Sequence, residues 1–159
     1  MAQPTQKLAF KSLAESDLPA ILAIEKRSHI TPWREAHFLS SIQGSHHVLG
    51  AYCEGQLIGY AVYSIVADEA ELLLFVIDEP HQGRGFGKAL LAHIIQNLDG
   101  KAERLFLEVR ASNMPAIQLY ETIGFNQVGE RANYYSLPWG REDALIFALE
   151  ILPNGELSN

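Results

Sequence analysis

The sequence predicts a single α/β domain, of the α+β kind, on three observations. Its 159 residues are 48% apolar, enough to fill one substantial core. Apolar periodicity gives the order strand, two helices, three strands, helix, strand, helix, two strands. One of those strands, ending at Ile77, leads into a glycine-punctuated turn that opens an amphipathic helix.

Lys7 to Leu13 alternate as a strand, and Ser16 and Asp17 then open a helix with Leu18, Ile21, Leu22 and Glu25 at helical spacing. Thr31-Pro32 reads as the cap and first-turn proline of a second helix that carries Phe38, Leu39 and Ile42 and stops at Gly44. Strands His47 to Cys53 and Leu57 to Val66 flank the hairpin signal Glu54-Gly55, and Glu71 to Ile77 forms a third run after Asp68 and Glu69. Beyond the glycine turn, Leu90, Leu91, Ile94, Ile95 and Leu98 mark one face of a helix ending near Gly100. Arg104 to Val109 is a strand, and Asn113 to Ile123 is a short helix closed by Gly124. Phe125 to Tyr135 and Ala144 to Ile151 supply the last two strands.

Prolines and glycines are scattered, so no linker or repeat divides the chain. The expected domain is 7–152, with disordered tails at 1–6 and 153–159. Apolar runs such as Ala61 to Ala67 are too short to span a bilayer, and the N-terminus lacks the apolar core of a signal peptide, so a cytoplasmic protein is expected. The one cysteine, Cys53, cannot form an internal disulfide and reads as a small core residue. A formal net charge of −7 argues against a nucleic-acid surface and suits a basic partner. The six histidines have no metal-ligand spacing, and no metal is expected.

The turn Gln82-Gly83-Arg84-Gly85-Phe86-Gly87-Lys88 is suited to holding a phosphate. Glycines at alternate positions let the backbone approach a ligand, and the first N–H groups of the helix point at it with the positive end of the dipole behind them. Arg84 and Lys88 add positive charge. A Walker loop is excluded because Gln82 and Ala89 stand where it needs glycine and Ser or Thr, and the dinucleotide fingerprint is excluded by spacing. The pattern that does match is Q/R-x-x-G-x-G/A, in Gln82, Gly85 and Gly87, the pyrophosphate loop of the GNAT superfamily of N-acetyltransferases.

The resemblance to that superfamily extends to the order of elements over nearly the whole chain. It sharpens at Leu107-Glu108-Val109-Arg110-Ala111-Ser112-Asn113, Leu119-Tyr120-Glu121-Thr122-Ile123-Gly124-Phe125, Asn133-Tyr134-Tyr135 and Gly140-Arg141-Glu142-Asp143-Ala144. Together these segments resemble the RimI-type enzymes, which acetylate the N-terminal alanine of small-subunit ribosomal protein number eighteen. The resemblance implies a mixed central sheet flanked by helices, with a splayed strand pair forming an acetyl-CoA cleft. It implies acetyl-CoA as co-substrate and a basic ribosomal-protein N-terminus as partner; with the charge and run lengths above, no membrane or direct nucleic-acid partner is expected, and the enzyme is expected to be a monomer. Gly83 departs slightly from the pattern, since relatives often carry a longer residue there.

Glu108 sits in a strand with apolar neighbours on both faces, where a buried carboxylate is costly unless paired or employed. Its residues alone allow an ion pair with Arg110 or Arg131, or a general base; the resemblance implies the base. Tyr120, spaced with Ile117 and Ile123 on a helix, reads as a core aromatic, and the resemblance implies a general acid for the departing thiolate. Phe75, Val76 and Ile77 reveal only burial; by resemblance their backbone N–H groups bond the pantetheine arm and polarise the thioester carbonyl. Asn113 is a helix cap that by resemblance also touches coenzyme A, and so do Gln82 to Lys88 (Gln82, Gly83, Arg84, Gly85, Phe86, Gly87 and Lys88). Glu69, Tyr134, Glu142 and Asp143 are expected to line the acceptor groove. The rival readings are a GNAT enzyme for small amines or lysine side chains, and a coenzyme A-binding regulatory module without turnover.

Overall fold

Thirteen elements, two of them single 3₁₀ turns, follow one another along residues 7–153, which a computed structural model describes. The expected tail 1–6, and 154–159 of the expected C-terminal tail, lie outside the described residues. The strands are β1 (Leu8–Ser12), β2 (His47–Cys53), β3 (Gln56–Val66), β4 (Glu69–Ile77), β5 (Arg104–Arg110), β6 (Asn126–Leu137) and β7 (Gly140–Glu150). The helices are α1 (Leu18–Ser28), α2 (Glu35–Gln43), α3 (Phe86–Leu98) and α4 (Met114–Ile123). The strands form one mixed sheet in the order β1-β2-β3-β4-β5-β7-β6, with β4 and β5 parallel and β1-β2, β2-β3, β5-β7 and β6-β7 antiparallel. No helix of the described residues is long and apolar enough to cross a membrane.

The described chain resolves into two compact units. The first contains the residues up to Ser64 together with Leu74–Leu91. Here α1 buries Leu18, Ile21 and Ile24 at three-residue spacing, with Pro19 tolerated in the first turn where its missing N–H has no partner to lose. Phe38 and Tyr60, both fully buried, meet edge to face with ring centroids 5.9 Å apart. The β2–β3 hairpin turns at Glu54-Gly55, where both residues take positive φ (52° and 79°), the geometry that matches strand twist. Helix α2 opens at Glu35, later than Thr31-Pro32 suggests, because the Trp33 N–H donates to Glu25 Oε2 and the Arg34 N–H to His37 Nδ1. Those two bonds hold the segment ahead of the helix as an open turn.

The second unit contains Ile65–Leu73 and the residues from Ala92 onward. Strand β5 is one-sided: Leu105, Leu107 and Val109 are buried, while Phe106, Glu108 and Arg110 alternate onto a more open face. The expectation that apolar neighbours bury this strand on both faces is corrected accordingly. Ile117, Tyr120 and Ile123 form the buried stripe of α4, which Gly124 ends at φ 122°. The β6–β7 hairpin is longer than its sequence suggests and turns at Pro138-Trp139, because Ser136↔Arg141 and Leu137↔Gly140 pair although only Leu137 of the four is a large apolar residue. Two register shifts interrupt it, the larger between Arg131 and Tyr135, where four steps along β6 match two along β7.

Candidate active site

In the first unit the glycine turn is held from its flanks. Asp78, 3% exposed, accepts from the Glu79 N–H and so caps the 3₁₀ turn Glu79–His81, and its own N–H donates to Ile58 O at 2.8 Å. Gln82 Nε2 donates to Ile77 O at 2.8 Å, tying the turn back to the end of β4. Gly83 and Gly85 then take φ +76° and +82°, a region that side-chain-bearing residues rarely adopt. A Cβ built on either would meet nothing within 4 Å, so the backbone there borders open space. The first N–H groups of α3 follow at once, with exposed Arg84 and Lys88 beside them and the Arg84 guanidinium 4.9 Å over the Phe86 ring. Phe86 itself is 6% exposed, so its side chain anchors the helix and only its backbone can face a ligand. An open, left-handed backbone with two cations fits a pyrophosphate group.

Of the strand residues ahead of this turn, Val76 is buried and Phe75 and Ile77 are intermediate. The β4–β5 ladder runs from Glu69↔Arg104 to Leu72↔Leu107 and ends there, among the described residues. Gly59 on β3 is a residue that the sequence reading passes over. A Cβ on it would lie 2.6 Å from Val76 O and 2.7 Å from Ile77 Cδ1, so only glycine allows the two backbones to approach this closely. Its signal in the sequence is a glycine inside an otherwise apolar strand.

In the second unit Glu108 is the centre of a polar cluster. Its side chain is 22% exposed, and Arg131 Nε lies 3.0 Å from Oε2. That contact is close but poorly directed, and Oε2 accepts no hydrogen bond of sound geometry among the described residues. Of the two expected partners the structure selects Arg131, whereas Arg110 sits 3.6 Å from Glu142. Arg131 also lies 5.4 Å over the exposed ring of Tyr134.

Tyr120 is 7% exposed, its ring 5.5 Å from that of Phe125, and burial holds its phenol well above the ordinary tyrosine range, with a further contribution from Tyr135. Tyr135 is a residue that the sequence reading misses in favour of its neighbour Tyr134. Burial pushes its phenol up to about 12, and the charge on Glu108 adds to this. The two differ in setting: Tyr134 is 48% exposed, and Tyr135 is the one that feels Glu108. Asn113 caps α4 by accepting from the Ala116 N–H at 3.3 Å.

The acidic residues expected in the acceptor groove divide. Glu142 accepts from the Ser112 N–H at 2.7 Å, and hydrogen bonding by the Ser112 side chain, then by this N–H, with Arg110, holds its carboxyl below the usual range. Asp143 Oδ1 accepts from the Asn133 N–H at 2.8 Å, fixing the bulge at a residue with φ +53°, and that bond lowers its carboxyl. Both therefore brace the loops around Glu108. Glu69 does not join them: it pairs with Arg104 at the start of the ladder, four residues and roughly 13 Å along β5 from Glu108.

Residues 10–125 match the acetyltransferase (GNAT) family. The [ribosomal protein bS18]-alanine N-acetyltransferase of Escherichia coli (strain K12) is 44% identical over 142 residues, covering 88% of this chain and 95% of that protein. The protein of the same name from Haemophilus influenzae is 42% identical over 135 residues, 83% of this chain and 91% of its own. The crystal structure of the Escherichia coli ribosomal-protein-S18-alanine N-acetyltransferase superposes with a TM-score of 0.86 at 42% identity, covering 91% of this chain and 94% of that one. Arabidopsis thaliana NAA60 in complex with acetyl-CoA, 21% identical with a TM-score of 0.80, shares the fold.

Proposed function

The chain belongs to the acetyltransferase (GNAT) family, and on that premise we propose that it moves the acetyl group of acetyl-CoA to the α-amine of the N-terminal alanine of ribosomal protein bS18. The observation that carries the substrate is the 44% identity over 95% of a relative named for that reaction. The turn from Gln82 to Lys88 holds the pyrophosphate of the donor, and the N–H groups of Phe75 to Ile77 face its thioester carbonyl as an oxyanion hole.

The acceptor amine attacks the thioester carbon directly: a C–N bond forms and the C–S bond breaks. Glu108 takes the proton from the nitrogen, through a water. Tyr120 serves the departing sulfur. It acts as the general acid, its hydroxyl donating to the thiolate as the C–S bond breaks. Asn113 positions the start of α4 and touches the donor.

Acceptor choice follows from proton affinity. A protein N-terminus titrates near 7.7 to 8.0 and lysine near 10.4, so presenting the neutral amine costs lysine roughly 3.5 kcal/mol more at neutral pH. Mass spectrometry after incubation with acetyl-CoA and a peptide panel varied at the first two residues tests the reading. Acetyl groups on the α-amine of peptides beginning with alanine support it; fragments placing them chiefly on lysine, or efficient transfer only to a small polyamine, overturn it.

A further inference from the structure

The glycine turn has no side-chain cage of its own: Gly83 and Gly85 border open space, so its shape is inherited from the segments on either side. On the C-terminal side the Ala89 N–H donates to Gly85 O at 3.1 Å as α3 begins. On the N-terminal side lies an ion pair that the reaction as proposed does not use. Arg27, on the last turn of α1, grips Asp78 with both prongs, Nε to Oδ1 at 2.9 Å and Nη2 to Oδ2 at 2.7 Å. The guanidinium is itself fixed, since its Nη1 donates to Ala23 O at 3.0 Å. Asp78 turns this grip into backbone geometry, because it caps the Glu79 N–H, accepts the His81 N–H at its carbonyl and donates to Ile58 O.

The clamp is continuous with a second buried carboxylate one half-turn earlier on α1. Glu25, fully buried, accepts from Tyr60 at 2.7 Å, from the Trp33 N–H at 2.9 Å and shares a 2.7 Å contact with His29 Nδ1. Burial raises its carboxyl, yet these bonds outweigh burial and leave it below the ordinary range. Glu25 thus fixes the helix from which Arg27 projects.

We propose that Arg27 and Asp78 are positioning residues for donor binding, setting the glycine turn in the conformation that accepts the pyrophosphate and cancelling the negative charge that Asp78 would otherwise present near an anion. Resting on the function proposed above, this assigns donor affinity to a side-chain pair outside the glycine motif. A bidentate guanidinium is needed because it fixes orientation as well as charge, which a lysine cannot do.

Calorimetric titration of acetyl-CoA into the full chain, alongside steady-state kinetics, tests it. Arg27→Met should raise both Kd and KM for acetyl-CoA roughly 10- to 100-fold, the scale of a misplacement of about an ångström, with kcat at saturating donor little changed. Arg27→Lys should fall between. The double variant Arg27→Met with Asp78→Asn should recover part of the affinity, since it removes the uncompensated charge. Asp78→Asn alone keeps the cap and the side-chain shape, so it reports on the pair even where Arg27→Met folds poorly, and it should weaken binding by less than Arg27→Met. Wild-type Kd with Arg27→Lys and Asp78→Asn, their melting temperatures alone falling, would overturn the inference and leave the pair a fold staple. A wild-type chain that binds no acetyl-CoA would instead sink the proposed function, and this inference with it.

Discussion

The glycine turn and the surroundings of Glu108 fix their groups by opposite means. In the turn, what a ligand meets is backbone, with two residues in left-handed conformations held by buried charges behind them: Asp78 at 3% exposure and Glu25 at 0%. Around Glu108, what a ligand meets is side chains, held by partly exposed charges such as Arg131 on a bulged hairpin. Backbone groups survive most point substitutions, proline excepted, whereas an acid or base is removed by a single one. Damage to the first region should therefore appear in donor affinity and stability, and damage to the second in turnover.

The largest effects test that division at Glu108 and Tyr120. Glu108→Gln keeps the shape but cannot accept a proton, and Tyr120→Phe loses the hydroxyl; each should lower kcat about 10²- to 10⁴-fold, with acetyl-CoA affinity nearly intact. Initial rates at saturating donor, with binding measured separately, check both. Tyr135→Phe sharpens the comparison, because Tyr135 feels the charge of Glu108 and Tyr120 is the more deeply buried. A loss in Tyr135→Phe as large as that expected of Tyr120→Phe, with Tyr120→Phe itself near normal, would exchange the two tyrosines.

Next in size are the glycines. Gly85→Val forces a β-branched residue into φ +82°, a strain of about 1–3 kcal/mol, and narrows the approach to the backbone. Acetyl-CoA affinity should fall at least about tenfold, with the fold retained. Gly59→Ala meets resistance from the protein itself, since its Cβ would press on Val76 O and Ile77 Cδ1. It should lower unfolding free energy by about 1–3 kcal/mol in urea titrations. A Gly59→Ala chain with unchanged stability would mean that β3 and β4 yield there without cost.

The two regions also differ in how far their residues could be read from the chain. The conformation of the glycine turn was legible, because glycine spacing encodes backbone conformation directly. The order of strands and helices was legible for a similar reason, apolar period being a local property. Glu108 was legible by type, but its partner was not, since Arg110 and Arg131 are equivalent until register sends one to Glu142 and the other to Glu108. Tyr135 carries no signal of its own, because alternation places adjacent Tyr134 and Tyr135 on opposite faces and the pairing of β6 with β7 decides which one lies towards Glu108. Arg27 and Asp78 were silent because their 51-residue separation leaves no local pattern.

A smaller effect follows from the buried charges. The carboxyls of Glu25 and Asp78 are both held below their ordinary values, so each is ionised more readily in the folded chain than in the unfolded one. Their contribution to stability is fully present above the unfolded values, 4.5 and 3.8, and is lost as pH falls through the lower folded ones. Urea unfolding between pH 3 and 6 should therefore show stability rising with pH, and less steeply in Glu25→Gln. An equal slope in the variant would mean that Glu25 titrates alike in both states.

The smallest expected effect concerns Glu142. A basic residue following the terminal alanine would be drawn to acidic groups in an acceptor groove, and Glu142 is the natural candidate by sequence. Yet one of its oxygens accepts the Ser112 N–H and the other faces Arg110, so its charge is largely balanced within the protein. Glu142→Gln keeps the acceptor for Ser112 and removes only the charge. The KM of a peptide beginning Ala-Arg should then change by no more than about fivefold, the most that an exposed ion pair is ordinarily worth. The increase of that KM with added salt, which reports screening of the whole acidic chain, should persist in the variant. A rise of more than about tenfold for Ala-Arg but not for Ala-Ala peptides, with the salt dependence abolished, would make Glu142 a direct reader of the second residue. The region around Glu108 would then select its substrate by a charge that the loop brace leaves available, and the contrast with the donor turn would narrow.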